Sequence, residues 1–489
     1  MPLKSTAVST AESTELVRGL RLLDSTSLVV GSMIGSGIFI VSADVARQVS
    51  SPGLLLLTWI CAALVTLICA LSYGELAAEM PRSGGQYVYL REAFGPLFGF
   101  LYGWTLFLVI QTGTIAAVAV GFAKFFGVMV PSISSTRFVF DLGRISLPFT
   151  ARTFLVAVST QQLVAILSIV LLTVLNCFGI RVGAWVQNIF TFTKTTALLG
   201  LALLGIFIGR NLEAISANFG SFWRNAGWNV STVTVMGVAM VGPLFSCDAW
   251  NNVTFTGEEV TNPRRNLPLS LALGVGIVAF LYVLTNFVYL SVLPLAGSPQ
   301  GSSVLARGIQ YAVEDRVGTA AAEVIFGSAG LWLMALAIMI STFGCNNGLI
   351  LTGARVYYAM AKDKLFFSPV ARVHPRFHTP VISLSVQGVW CCLLTLSGTY
   401  SQLLDYIIFA ALLFYMLTIG ALFVLRRKYP GKERPFGAAG YPWLQLAYLV
   451  TVGYLEVVLL IYKPGYTWPG LIIVLLGLPV YFLWRHSRP

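Results

Sequence analysis

The chain has 489 residues, of which 57% are hydrophobic and only 10% charged, with a mean hydropathy of +0.81. Soluble domains carry about a quarter charged residues, so the composition excludes a soluble enzyme and indicates a polytopic membrane protein. The net charge of +12, which would suggest nucleic acid in a soluble protein, is assigned here to cytoplasmic loops, where Lys and Arg collect.

Residues 1–23 are polar and contain Glu12, Glu15, Arg18 and Arg21, so 1–25 reads as a cytoplasmic segment without a cleavable signal. Windows of about 20 apolar residues then predict twelve transmembrane helices, at 26–48, 54–79, 96–126, 154–177, 186–209, 232–256, 269–293, 325–358, 381–399, 402–425, 442–462 and 467–485. The stretches at 96–126 and 325–358 exceed the bilayer thickness and call for tilt or extension beyond it. With the N-terminus inside, about twice as many Lys and Arg fall in inner loops as in outer ones, so both termini are expected in the cytoplasm. Five spans lie in 26–210 and five in 232–426, with the last two helices and a cytoplasmic tail at 427–489. An odd number per half forces opposite orientations, so the expected fold is an all-α 5+5 inverted repeat plus two extra helices.

Two of the spans are interrupted. The first carries Gly31-Ser32-Met33-Ile34-Gly35-Ser36-Gly37-Ile38-Phe39, and the sixth carries Pro243-Leu244-Phe245-Ser246-Cys247-Asp248-Ala249-Trp250. Unpaired backbone amides are costly in lipid, so irregular backbone survives there only where it lines a cavity. Breaks at corresponding places in two halves point to the substrate site of a secondary transporter.

Charges inside spans are costly unless paired or facing water. Lys194 lies about eight residues into the fifth span, in a Thr-rich stretch, at a depth of roughly 12 Å. It is expected to be a buried cation bonded to polar groups of the bundle, against the alternative of snorkelling to the inner interface. Asp248 sits in the sixth-span break, where it can hold an amine, hold a cationic side chain, carry a proton, or cap the helix that follows. Glu75, Glu79, Glu258 and Glu259 close spans near Arg82, Arg264 and Arg265 and suit inner-gate ion pairs. Glu456 and Asp405 have no identifiable partner in the sequence. Asn346 and Asn347 belong to a small, polar patch of the eighth span that suits either close helix packing or site lining.

Several chemistries are not indicated. The three histidines, His374, His378 and His486, fall in loops or the tail, so no metal centre or catalytic triad is expected. All seven cysteines fall in spans, which argues against a disulfide framework or a covalent external subunit. The Gly-Ser-Gly stretch lacks the ending of a P-loop, so neither ATP nor another cofactor is expected.

The glycine motif Gly31 to Phe39, the run Ser83-Gly84-Gly85-Gln86-Tyr87-Val88-Tyr89, and the segment from Gly257-Glu258-Glu259 to Asn266-Leu267-Pro268 resemble the L-type amino-acid transporters of the amino acid–polyamine–organocation superfamily. That resemblance implies a LeuT-type 5+5 fold and an amino-acid exchanger. It implies that Ile34, Gly35, Ser36, Gly37 and Ile38 receive the substrate carboxylate, in agreement with the positive N-terminal end of a half-helix. It implies that Phe245, Ser246, Cys247 and Asp248 form the opposite wall, with break carbonyls holding the amine and Phe245 as outer gate. Lys194 matches the family's lysine at the position of sodium in sodium-coupled relatives, and Asn347 joins it as an expected coupling residue. Cys247 and Ala249 depart from the aromatic and glycine that relatives often carry. The heavy-chain-linking cysteine has no counterpart, and the termini are short, so a bacterial inner-membrane protein without a partner subunit is expected.

The expected function is sodium-independent exchange of neutral L-amino acids by alternating access. The alternative within transporters is exchange of cationic amino acids or cystine for neutral ones through Asp248. A non-transporting sensor of the same fold would usually carry a long signalling extension, and a channel would carry a ring of charges. Gly37→Val is expected to abolish substrate binding and leave the protein folded, because a branched side chain blocks approach.

Overall fold

The computed structural model describes residues 16–146, 153–227, 229–397 and 400–486. Glu12 and Glu15 lie outside the described residues, as does the side chain of Asp405.

The chain is a helical bundle whose elements begin and end at readable signals. Helix α1 (Leu22–Met33) starts after Arg21, whose amide donates to the Asp24 carboxylate at 2.8 Å, and stops where Ile34 turns to extended backbone. After Gly35 and Ser36 the chain resumes as α2 (Gly37–Val49), bent 41° from α1. Helix α3 (Pro52–Glu79) is capped by Ser51 and opens on proline, which loses no intrahelical bond there. Then follow α4 (Gln86–Phe94) and α5 (Pro96–Thr105), a π-helical turn at Leu106–Ile110, and α6 (Gln111–Met129).

The segment after α6 departs from an all-α reading. Phe138–Ser146 (β1) and Thr153–Ser159 (β2) pair antiparallel, and α7 (Thr160–Cys177) starts only at Thr160 rather than at 154. The reason is local: Ser159 and Gln162 form a reciprocal capping box that sets the helix start. Helices α8 (Ile180–Phe207) and α9 (Leu212–Phe219) complete the first half.

In the second half, α10 (Val230–Ala239) and α11 (Val241–Ser246) form a short apolar rod. Beyond it Ala249 is left-handed at φ 67°, and Trp250–Phe255 and Gly257–Glu259 are 3-10 turns. The predicted span 232–256 is therefore α-helical only to Ser246. Helix α12 (Pro263–Val292) is followed by the short α13 (Val304–Arg307) and by α14 (Val317–Phe326). Gly327, at φ 64°, separates α14 from α15 (Ser328–Lys362), so the predicted start at 325 falls in the preceding helix. The chain ends with α16 (Val381–Ser397), α17 (Tyr400–Lys428), α18 (Trp443–Tyr462) and α19 (Pro464–His486).

Among the described residues, nine helices are long and apolar enough to cross a membrane, and the bent pair α1–α2 would be a tenth. Val230–Ser246 and Val381–Leu396 are apolar but shorter. The broken elements sit inside the bundle, because α12 packs along α3 and α1 while α15 packs along α6, α8 and α1. Residues Leu28 to Phe39 are buried almost without exception, so the irregular backbone faces protein and not lipid, as the bilayer requires.

Candidate functional site

The break after α1 leaves helix-end carbonyls without partners, and the Lys194 ammonium fills them. Its Nζ donates to Gly31 O at 2.5 Å, Ile34 O at 2.7 Å and, from α15, Ser341 O at 3.2 Å. An ammonium has three donors, and three carbonyls meet them. Ser341 Oγ adds bonds to Ile34 O at 3.0 Å and Gly35 O at 3.2 Å. Lys194 is 2% exposed, which excludes snorkelling. A cation at the negative end of α1 is also favoured by the helix dipole. Across the break, the first-turn amides of α2, at Gly37 and Ile38, have no intrahelical acceptor. The broken helix thus offers a neutralised carbonyl end and an open amide end.

The two breaks touch. A Cβ on Gly37 would lie 2.2 Å from Ser246 Oγ and 2.9 Å from Ser246 Cβ. This corrects the expectation for Gly37→Val: the direction a side chain would take is filled by α11, so the variant wedges the breaks apart before any ligand is involved. Gly35 is different, because its Cβ would meet only Cys345 Sγ at an ordinary 3.5 Å. Gly37→Ala is accordingly expected to cost about 1–3 kcal/mol by overpacking. Its yield of folded, detergent-stable protein should fall well below that of Gly35→Ala. Adding Ser246→Gly should restore much of that yield, as measured by size-exclusion chromatography after heating.

Tyr282 of α12, which the sequence reading passed over, bridges the same two breaks. Its hydroxyl lies 3.0 Å from Met33 O and 3.1 Å from Ser246 O. A mid-span tyrosine must find an acceptor for its hydroxyl, and that was the available signal. The Ser246 carbonyl retains one lone pair for an incoming donor. Phe245 is buried, and its carbonyl accepts the Asp248 amide at 3.1 Å. Cys247 is buried beside it as a free thiol.

Ala249 stands at the N-cap of the 3-10 turn at Trp250, and its amide donates to the Asp248 carboxylate. Asp248 Oδ1 also accepts the hydroxyl of Tyr415 in α17 at 2.5 Å. Asp248 borders a constricted cavity lined also by Tyr102, Gln111, Thr114, Asn251 and Asn252.

Asn347 lies away from both breaks. It donates to Gly183 O at 3.1 Å and Gln187 Oε1 at 2.9 Å and accepts from Asn176 at 3.0 Å, which joins α15 to α8 and α7. Gln187 and Thr191 in turn reach Ser27 O in α1, so the hydrogen bonds of Asn347 lead to α1 through α8.

Of the four span-closing glutamates, Glu75, Glu79 and Glu259 form ion pairs, with other partners than expected, and Glu258 forms none among the described residues. Glu259 pairs with Arg355 at 2.8 Å, both fully buried. Glu75 pairs with Arg426 and Arg434, and Glu79 with Lys432 and Arg434. Arg355 lies inside α15. At the other end Lys124 reaches Glu314, and Arg47 reaches Asp315 at 2.6 Å. Glu456 of α18 is buried with neither carboxylate oxygen hydrogen-bonded.

Two discontinuous helices pinned back to back in a buried site, with open amides on one and carbonyls on the other, define a membrane transporter for a small solute carrying both charges. The chain belongs to the amino acid permease family, whose profile matches residues 20–482. It is 30% identical over 480 residues to the mouse (Mus musculus) large neutral amino acids transporter small subunit 2, covering 96% of this chain and 82% of that one. It is 30% identical to the human (Homo sapiens) Asc-type amino acid transporter 1, covering 99% and 86%. It is 27% identical to the serine/threonine exchanger SteT of Bacillus subtilis (strain 168), covering 96% and 98%. The resemblance to L-type transporters carried by the sequence motifs is thus shown along the chain.

Proposed function

We propose that this protein exchanges neutral L-amino acids across a cell membrane without sodium, by alternating access around the two breaks. The observation that carries the reading is the filling of the α1 carbonyl end by Lys194. A fixed ammonium there takes the role a bound sodium ion would have, and it leaves the α2 amides as the one open, positive helix end for a carboxylate. The substrate carboxylate docks at Gly35, Ser36, Gly37 and Ile38, and its amine at the Phe245 and Ser246 carbonyls. Phe245 closes the site from outside, and Asn347 couples α15 to α8. The names of the relatives, a neutral amino-acid transporter and a serine/threonine exchanger, support the substrate class.

The same reading counts the bent pair α1–α2, Val230–Ser246 with its 3-10 continuation, and α16 as spans alongside the nine long helices, which makes twelve in a 5+5 inverted repeat plus two. It puts both termini in the cytoplasm of a bacterial cell and assigns no heavy-chain partner.

Counterflow into proteoliposomes tests it. Unlabelled internal leucine or alanine should drive uptake of labelled leucine equally in sodium and choline buffers, and arginine should be the poorer substrate. Asp248 is already engaged by Tyr415, so Asp248→Asn should lower leucine, alanine and arginine exchange by similar factors. A selective loss of a dominant arginine signal would instead favour the cationic exchanger, the second reading that a buried carboxylate at the site keeps in view.

A further inference from the structure

We infer that Tyr415 is a specificity-determining positioning residue: its phenol occupies the Asp248 carboxylate and keeps it from receiving a cationic substrate side chain. The inference rests on the exchange of amino acids proposed above and narrows which of them the site takes.

The hydroxyl donates to Asp248 Oδ1 at 2.5 Å, and both side chains are buried. Hydrogen bonds to an ionised acceptor at this length are about twice as strong as neutral ones. Among the described residues Asp248 forms no ion pair, so the phenol is its principal partner and not one member of a charge cluster.

The ring that carries the hydroxyl is fixed independently of any substrate. It lies 5.3 Å from Trp250 and 5.9 Å, edge-on, from Tyr73, which are themselves 4.8 Å apart. Those rings come from α17, the 3-10 turn after the second break, and α3. Three elements therefore aim one hydroxyl at one carboxylate.

Asp248 and Tyr415 also form the shared wall of two cavities. One opens toward Gln86, Gln111 and Asn251, and the other toward Thr66, Cys69 and Tyr448. A guanidinium or ammonium entering from either side competes with the phenol for Oδ1 and cannot engage both carboxylate oxygens freely while the phenol is in place. A neutral side chain meets no such competition. With the hydroxyl removed, the buried carboxylate keeps the Ala249 amide but loses its side-chain donor, and a cationic side chain becomes the group best able to replace it.

The test is counterflow of labelled leucine and arginine in proteoliposomes holding the full chain as wild type, Tyr415→Phe, Asp248→Asn, or both. Tyr415→Phe should raise the arginine-to-leucine ratio on the order of tenfold, the size of one charge-assisted hydrogen bond. Asp248→Asn should leave the wild-type ratio as it is and should erase the gain in the double variant. An unchanged ratio in Tyr415→Phe, or a gain that survives Asp248→Asn, overturns the inference while leaving amino-acid exchange standing. Wild-type protein that moves neither amino acid overturns both. Should Tyr415→Phe not assemble, the single Asp248→Asn variant decides: a fall in arginine relative to leucine would show that Asp248 already serves cations.

Discussion

Replacing Lys194 with alanine is expected to reduce exchange by about a hundredfold or more. The ammonium satisfies Gly31 O, Ile34 O and Ser341 O at once, and each bond from a charged donor contributes about 1.5–3 kcal/mol. Alanine takes the ammonium from Gly31 O and leaves Ile34 O with the Ser341 hydroxyl alone, in a site where no lipid-side donor exists. The local consequence is a loose first break, so the α2 amides and the α11 carbonyls are no longer presented to a substrate in a fixed geometry. Arginine at the same position keeps the charge but carries a planar fork instead of a compact three-donor head, and should restore little. The measurement is initial-rate counterflow normalised to reconstituted protein, in sodium and in choline buffers. Wild-type rates should match in the two. A wild-type rate that collapses in choline, or a Lys194→Ala rate near wild type, would show that the lysine is a packing residue and that another cation fills the break.

Breaking the buried pair of Arg355 and Glu259 should have the largest effect on stability. The guanidinium and carboxylate meet twice, at 2.8 Å and 3.1 Å, and Arg355 Nη1 also donates to Leu351 O at 2.5 Å. Removing one member of such a pair strands a charge and costs about 3–5 kcal/mol, whereas replacing both with apolar residues is often close to neutral. Arg355→Met should therefore lower the melting temperature in detergent far more than the double variant Arg355→Met/Glu259→Leu. The pair also anchors a strap: the amides of Gly19 and Leu20 donate to the Glu259 carbonyl at 2.8 and 3.0 Å, and Thr261 N returns to Leu20 O at 2.8 Å. Limited proteolysis ahead of α1 should consequently speed up in the single variant and not in the double. Equal melting temperatures for the single and double variants would show that the charges are not coupled.

Much of the architecture was legible in the chain because a bilayer allows few solutions. Runs of about 20 apolar residues have to be helices, and the interruptions at Gly35 and at Asp248 could only be tolerated inside the bundle. The same rule marked Lys194, since a cation roughly 12 Å deep has to find carbonyls. Where the reading slipped, local chemistry outweighed hydropathy. Residues 154–159 are apolar enough to extend a helix, yet they pair as a strand, and the Ser159–Gln162 box starts the helix at Thr160.

Pairing was a different matter, because it depends on which helix lies beside which. Sequence proximity set Glu259 beside Arg264 and Arg265, and only the packing of α15 against the second break joined it to Arg355. Asp248 was visible as a carboxylate in a break, but its hydroxyl partner comes from 167 residues further along the chain. Gly37 read as a position where a side chain would block a ligand, and the packing of Ser246 shows that a side chain there meets α11 first. The sequence by itself determined a membrane transporter with two broken helices and a buried lysine, since burial in lipid constrains each residue where it stands. Only the tertiary structure decided what each polar group bonds to, because partners hundreds of residues apart are brought together by helix packing that no local signal encodes.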